Sequence, residues 1–271
     1  MLGKLIHHEF SATWKVPVAL DALLIFLGAA GGFTLGNVPH MQDSIGVSII
    51  MFLITVIYYV GIIAANIVTM VYLVMRYYKN LYTSQGYLTF TLPVRTDQII
   101  TAKVITGSVW MLFCFICTIL SVLIAALGII SQITLSGPDF IHAMKEFNNE
   151  MMIFDAKFAF TLIFLIIISA AGSVLSLYFC VTVGQLWAKH KILGAVLTYV
   201  AVYIANQVIS TVTFFTSGLF GTAAQSAAEF DSAFKTMYSQ TLLHLGIVVL
   251  VECIICYAAC LLITKKKVNL D

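Results

Sequence analysis

Glu252 and His244 stand eight residues apart inside an apolar run, a spacing that puts a carboxyl and an imidazole on nearly one helical face. Ionisable groups at that depth do one of two things: they bind a proton or an ion, or they tie helices together. An unpaired carboxylate near the middle of a membrane costs at least about 2.5 kcal/mol. Glu252 is therefore protonated, paired, or set against a wet cavity. Two readings stand: a substrate or proton path drawn from Glu252, His244 and Asn66, or a helix–helix hydrogen bond from Glu252 to Asn66 or Asn206. Asp21 falls near the inner end of its apolar run and is expected to reach the headgroups. Cys114–Cys117 and Cys253–Cys256 have CxxC spacing, but no other ligand-rich cluster accompanies them, so they read as small packing residues and not as a metal or redox site. His7, His8 and Glu9 are adjacent, point about 100° apart on a helix, and read as a solvated face. No GxxxxGK[ST], HExxH or GxSxG motif occurs. No catalytic set, metal site or cofactor site is expected in this chain, and no enzymatic activity.

The elements that hold these residues follow from composition. Of 271 residues, 61% are hydrophobic and 10% charged, with a mean hydropathy of +1.02. No soluble domain of this size hides so much apolar surface, so lipid must solvate much of it. Six runs reach the roughly 20 residues that a span requires: 16–36, 45–75, 99–130, 158–187, 192–215 and 241–264. They are continuous and lack the alternation of barrel strands, which predicts an all-α polytopic fold, a single transmembrane domain over 1–271. The second, third and fourth runs exceed a bilayer and are expected to tilt or continue as helix beyond it.

Orientation follows from the basic residues. With the N-terminus inside, the inner segments carry Lys4, Lys15, Arg76, Lys79, Arg95, Lys103, Lys189, Lys191 and Lys265, Lys266 and Lys267, leaving only Lys145, Lys157 and Lys235 of the 14 outside. Both termini are expected to be cytoplasmic, and the net charge of +2 is a topology signal with no nucleic-acid footprint. The first run is a full span without a small-residue cleavage site after it, so no cleavable signal peptide is expected. All six cysteines lie within spans, which gives no disulfide framework.

Residues 1–15 put Leu2, Leu5, Ile6, Phe10 and Trp14 on one helical face, the pattern of an amphipathic helix lying in the inner headgroup region. The outer loops are 131–157, with a stripe of Phe140, Met144, Phe147 and Met151 after Pro138, and 216–240, with Ala227, Phe230, Phe234 and Met237. The link 189–191 is so short that the fourth and fifth spans must form a tight antiparallel pair. Gly28, Gly32 and Gly36 make a tandem GxxxG helix-packing interface in the first span, suited either to a neighbour in this chain or to another subunit.

The stretch "GYLTFTLPVRTDQIITAK", 86–103, breaks the apolar pattern with a glycine, a proline, an arginine and an aspartate. Arg76 and Lys79 flank it, so it is expected on the inner side. Tyr87, Leu88, Leu92, Pro93 and Val94, followed by Gln98, Ile99, Ile100 and Lys103, resemble the first cytoplasmic loop of type-2 export permeases of the ATP-binding-cassette family. The amphipathic start, six spans, inner termini and short outer loops extend the resemblance over nearly the whole chain. The resemblance implies a bacterial cell-membrane permease working as a dimer, with an identical or homologous second permease subunit and with separate ATPase subunits that hold the ATP and Mg. It implies that 76–98 is a coupling segment with a short helix docked on the ATPase. Leu81, Tyr82, Tyr87, Leu88, Phe90 and Leu92 would be its apolar contacts, Arg76, Lys79 and Arg95 its rim, and Pro93 its end. Thr96 is expected to cap the third span, with Asp97 in its first turn. The implied function is ATP-driven export of an amphipathic or hydrophobic substrate, a peptide or a drug. The alternative is a gradient-driven secondary transporter that uses Glu252 as its ion or proton site.

Overall fold

A backbone in hydrocarbon has no water to bond, so an apolar run of this length satisfies its own N–H and C=O groups as helix. The computed structural model describes residues 2–36, 45–83, 85–87, 94–133, 156–187, 190–216 and 227–267, and every regular element among them is helical. They are α1 Leu2–Thr13, α2 Lys15–Gly36, α3 Ile45–Tyr82, α4 Thr96–Ile133, α5 Ala156–Gly184, α6 Lys191–Thr216 and α7 Ala227–Lys267. The last six each contain a stretch long and apolar enough to cross a membrane. The chain is an all-helical multi-pass membrane protein.

Hydropathy marks lipid and not helix ends, and the bounds differ accordingly. At 38 residues each, α3 and α4 are roughly 57 Å long, well beyond a hydrocarbon core of about 30 Å. α7 begins at Ala227, so the second half of the expected outer loop 216–240 is helix continuous with the last span. The side chains of its stripe at Phe230, Phe234 and Met237 lie outside the described residues, as does the expected outer helix within 134–155.

The helices gather into two compact units. The first comprises Met1–His7, Leu73–Val109 and Asp155–Asp271; the second comprises His8–Tyr72 and Trp110–Phe154. In the first, α5 packs against both α6 and α7. A Cβ on Gly184 would lie 2.6 Å from the backbone nitrogen of Ala195, and one on Gly194 would lie 2.9 Å from the Trp187 ring. Removing those side chains lets α5 and α6 close into the tight pair that the short 189–191 link requires.

In the second unit the tandem glycines serve packing within the chain. Gly28 lies directly on Ser121 of α4, and a Cβ on Gly32 would stand 2.8 Å from the Ala125 Cα. Gly128 on α4 meets Gly32 in return. What packs against Gly36 is outside the described residues. Polar ties reinforce the contact: the Ser121 hydroxyl donates to the Leu24 carbonyl at 2.9 Å, which leaves its oxygen to accept from Tyr58 of α3 at 3.2 Å. α1 joins through Phe10, stacked on Trp110 at 4.7 Å, and through Thr13, which accepts from the Trp110 indole N–H at 2.9 Å. Asp21 does not reach toward the surface as its position suggests. It is 2% exposed.

Candidate functional site

Both ends of the connector between α3 and α4 are fastened within the first unit. Its α3 side is fixed by a polar knot around Thr182 of α5. The Thr182 hydroxyl spends its one proton on the Tyr178 carbonyl, at 2.7 Å. Its two lone pairs then accept from the hydroxyls of Tyr77 and Tyr82, each at 3.1 Å. With the Tyr82 proton so committed, Thr264 of α7 is left to donate to the Tyr82 oxygen, at 3.5 Å. The Tyr77 ring stacks on Tyr178 with centroids 3.9 Å apart and planes 8° from parallel. All four hydroxyl-bearing side chains of the knot are buried, where an unmade hydrogen bond is expensive.

The α4 side is fixed differently. Asp97, in the first turn of α4, meets Lys265 of α7 at 2.6 Å. Both side chains are nearly half exposed, so solvent screens the pair and it sets register more than stability. One turn on, the Thr101 hydroxyl donates to the Asp97 carbonyl at 2.6 Å and accepts from Tyr257 of α7 at 2.8 Å. Ile99, Ile100, Ala102 and Lys103 are buried behind it. The carbonyl of Arg95 receives the N–H groups of Gln98 and Ile99, at 2.9 and 3.3 Å, so Arg95 and not Thr96 occupies the cap position of α4. Both ends of the connector are thus tied to α7, and its α3 end also to α5.

The residues expected to line the connector divide by burial. Leu81 is 0% exposed and Tyr82 8%, so these two belong to the interior of the first unit and give no surface contact. Tyr87, within the helical residues 85–87, is 66% exposed, and Arg95 is exposed. Leu88, Phe90, Leu92 and Pro93 lie outside the described residues. Thr182, Thr264 and Tyr257 escape a sequence reading because each is a mildly polar residue in an apolar run. Only their distance-spanning partners give them meaning.

Glu252 and His244 belong to the first unit and Asn66 to the second. Glu252 of α7 accepts from the Asn206 side-chain amide of α6 at 2.8 Å. His244 is exposed, and Asn66 belongs to the second unit, where its amide donates to the Ile62 carbonyl at 2.9 Å and to Thr118 at 3.3 Å. Of the two partners weighed for Glu252, the helix–helix bond to Asn206 is the one formed. A glutamine accepts that bond as well as a glutamate does. Glu252→Gln is therefore expected to unfold within about 0.5 kcal/mol of the parent, and Glu252→Leu to lose about 0.6–1.7 kcal/mol, the range of interhelical hydrogen bonds in membranes. Thermal unfolding in nanodiscs distinguishes them: equal losses in both variants would assign the role to the negative charge.

The six cysteines are free, and no group of three metal-ligating side chains occurs among the described residues. No protein-family model matches the chain, and no curated protein or solved structure matches it either.

Proposed function

We propose that this chain is the membrane-spanning permease subunit of an ATP-driven exporter, and that 76–98 couples it to a separate ATPase. The observation that carries the reading is the double fastening of the α3–α4 connector. A loop that merely joined two spans would need no buried knot of two tyrosines and two threonines at one end and an ion pair at the other. Fastened so, a push on residues 84–95 acts on α3 and α4 by continuity and on α5 and α7 through Thr182, Thr264 and Lys265. The exposed Tyr87 and Arg95 then serve as an aromatic contact and a basic rim on the surface offered to the ATPase.

In this reading both termini face the cytoplasm of a bacterial cell, α1 lies in the inner headgroup region, and the permease works as a dimer. The transported molecule is amphipathic or hydrophobic. α6 supports this: Tyr199, Tyr203, Gln207 and Ser210 recur along one exposed stripe of the helix. Hydroxyl and amide groups at such positions gain little from lipid and much from a polar partner or passenger.

The test is physical association. The full chain, purified in mild detergent from its own host's membranes, is expected to bring down an ATPase subunit. A single cysteine at Tyr87→Cys is expected to cross-link to that subunit in intact membranes. Purification without an ATPase, together with no cross-link from this position, would overturn the reading.

A further inference from the structure

Asp21 has no role in the coupling scheme, and its surroundings in the second unit are unlike those of any other carboxyl described. It sits within the membrane-crossing part of α2, 2% exposed, and neither of its carboxyl oxygens has a hydrogen-bond partner. Its polar neighbour is the thiol of Cys114 on α4, itself fully buried. That thiol, at most a weak donor, also lies 3.7 Å from Asn66 Oδ1 and 3.9 Å from Thr69 Oγ1, both on α3. The Asn66 amide is already committed to the Ile62 carbonyl and to Thr118. Among the described residues no basic side chain is paired with Asp21.

An ionised carboxylate held there would carry a full charge in a medium of low dielectric with nothing to compensate it, which buried groups avoid by becoming neutral. A hard metal cation would want several oxygen ligands around it. The carboxyl instead faces a sulfur, with Leu24 one turn along and also buried. A proton needs only one carboxyl oxygen. We infer that Asp21 is an intramembrane proton-binding site of the second unit, and that its bound proton permits the close packing of α2 against α3 and α4.

Among the described residues the titratable groups that face Asp21 are the thiols of Cys114 and Cys117 on α4. From α3 come Asn66 and Thr69, and α1 sets Phe10 and Thr13 into α4; none of these titrates. Loss of the proton therefore leaves a bare negative charge that no neighbour answers. Rising pH weakens the packing of this unit and falling pH preserves it. This inference rests on the second unit alone and stands apart from any ATPase partnership.

Isotope-edited infrared spectroscopy on the full chain in nanodiscs tests it. With ¹³C-labelled aspartate, the wild-type protein is expected to show a protonated-carboxyl C=O band at neutral pH worth one aspartate per chain. Glu252 is silent under this labelling. The band should disappear in Asp21→Asn, persist when sodium replaces potassium, and fade as the pH is raised. Absence of the band from the wild type at neutral pH overturns the inference, whether or not the variant folds. So does a band abolished by sodium, which would make this a cation site.

Discussion

Thr182→Val is expected to lower the stability of the first unit by about 2–4 kcal/mol. The change keeps the shape of the side chain and removes only the hydroxyl. Two phenolic protons, from Tyr77 and Tyr82, then lose their shared acceptor in a buried site. Each orphaned buried donor costs about 1–3 kcal/mol. Thr264 offers Tyr82 partial relief, since it already lies 3.5 Å away, so the two costs do not add in full. Removing the donors as well should return most of the loss, because an apolar set of the same shape leaves nothing unsatisfied. The triple variant Tyr77→Phe, Tyr82→Phe, Thr182→Val is thus expected to be more stable than Thr182→Val alone. Thermal unfolding in nanodiscs reads both. A Thr182→Val loss below about 0.5 kcal/mol, or no recovery in the triple variant, would mean that the knot is not built around this hydroxyl.

The difference between what the residues announce and what they conceal follows from range. The spans are local: an apolar run of 20 or more residues can be helix and little else in lipid, so all six are legible from composition. Helix ends are less so, since hydrogen bonding along a backbone continues past the edge of the apolar run, as α7 does upstream to Ala227. The partner of Glu252 is narrowed by sequence to two asparagines, because few side chains in lipid can answer a carboxyl. Tyr82 and Thr182 lie 100 positions apart, and Tyr82 and Thr264 lie 182 apart. Nothing in either neighbourhood signals the other. For the same reason Leu81 and Tyr82 read as surface contacts when judged by their position beside a polar loop, whereas tertiary packing turns them inward. Asp21 shows the opposite failure: its place near a span end suggests water, and the packing of α2 on α4 denies it.

The substitution with the largest expected functional effect is Tyr87→Glu. Tyr87 is 66% exposed, so a glutamate there is not buried in the isolated chain and is expected to leave folding and insertion near normal. Docking changes its surroundings. If the ring enters a cleft on the ATPase, a carboxylate in its place must be stripped of water without a partner, at a cost of about 2–4 kcal/mol. That corresponds to roughly 30- to 700-fold weaker association, at 1.4 kcal/mol per tenfold. If the chain is the proposed permease, the variant should therefore reach the membrane in normal amounts, lose the ATPase on purification, and cease to transport. Tyr87→Phe keeps the apolar ring and is expected to retain association. The contrast separates docking from folding, because a folding defect would lower the amount of permease, whereas a docking defect leaves it and removes only its partner. Equal recovery of the ATPase with Tyr87→Glu and with the parent chain would place the contact elsewhere than Tyr87.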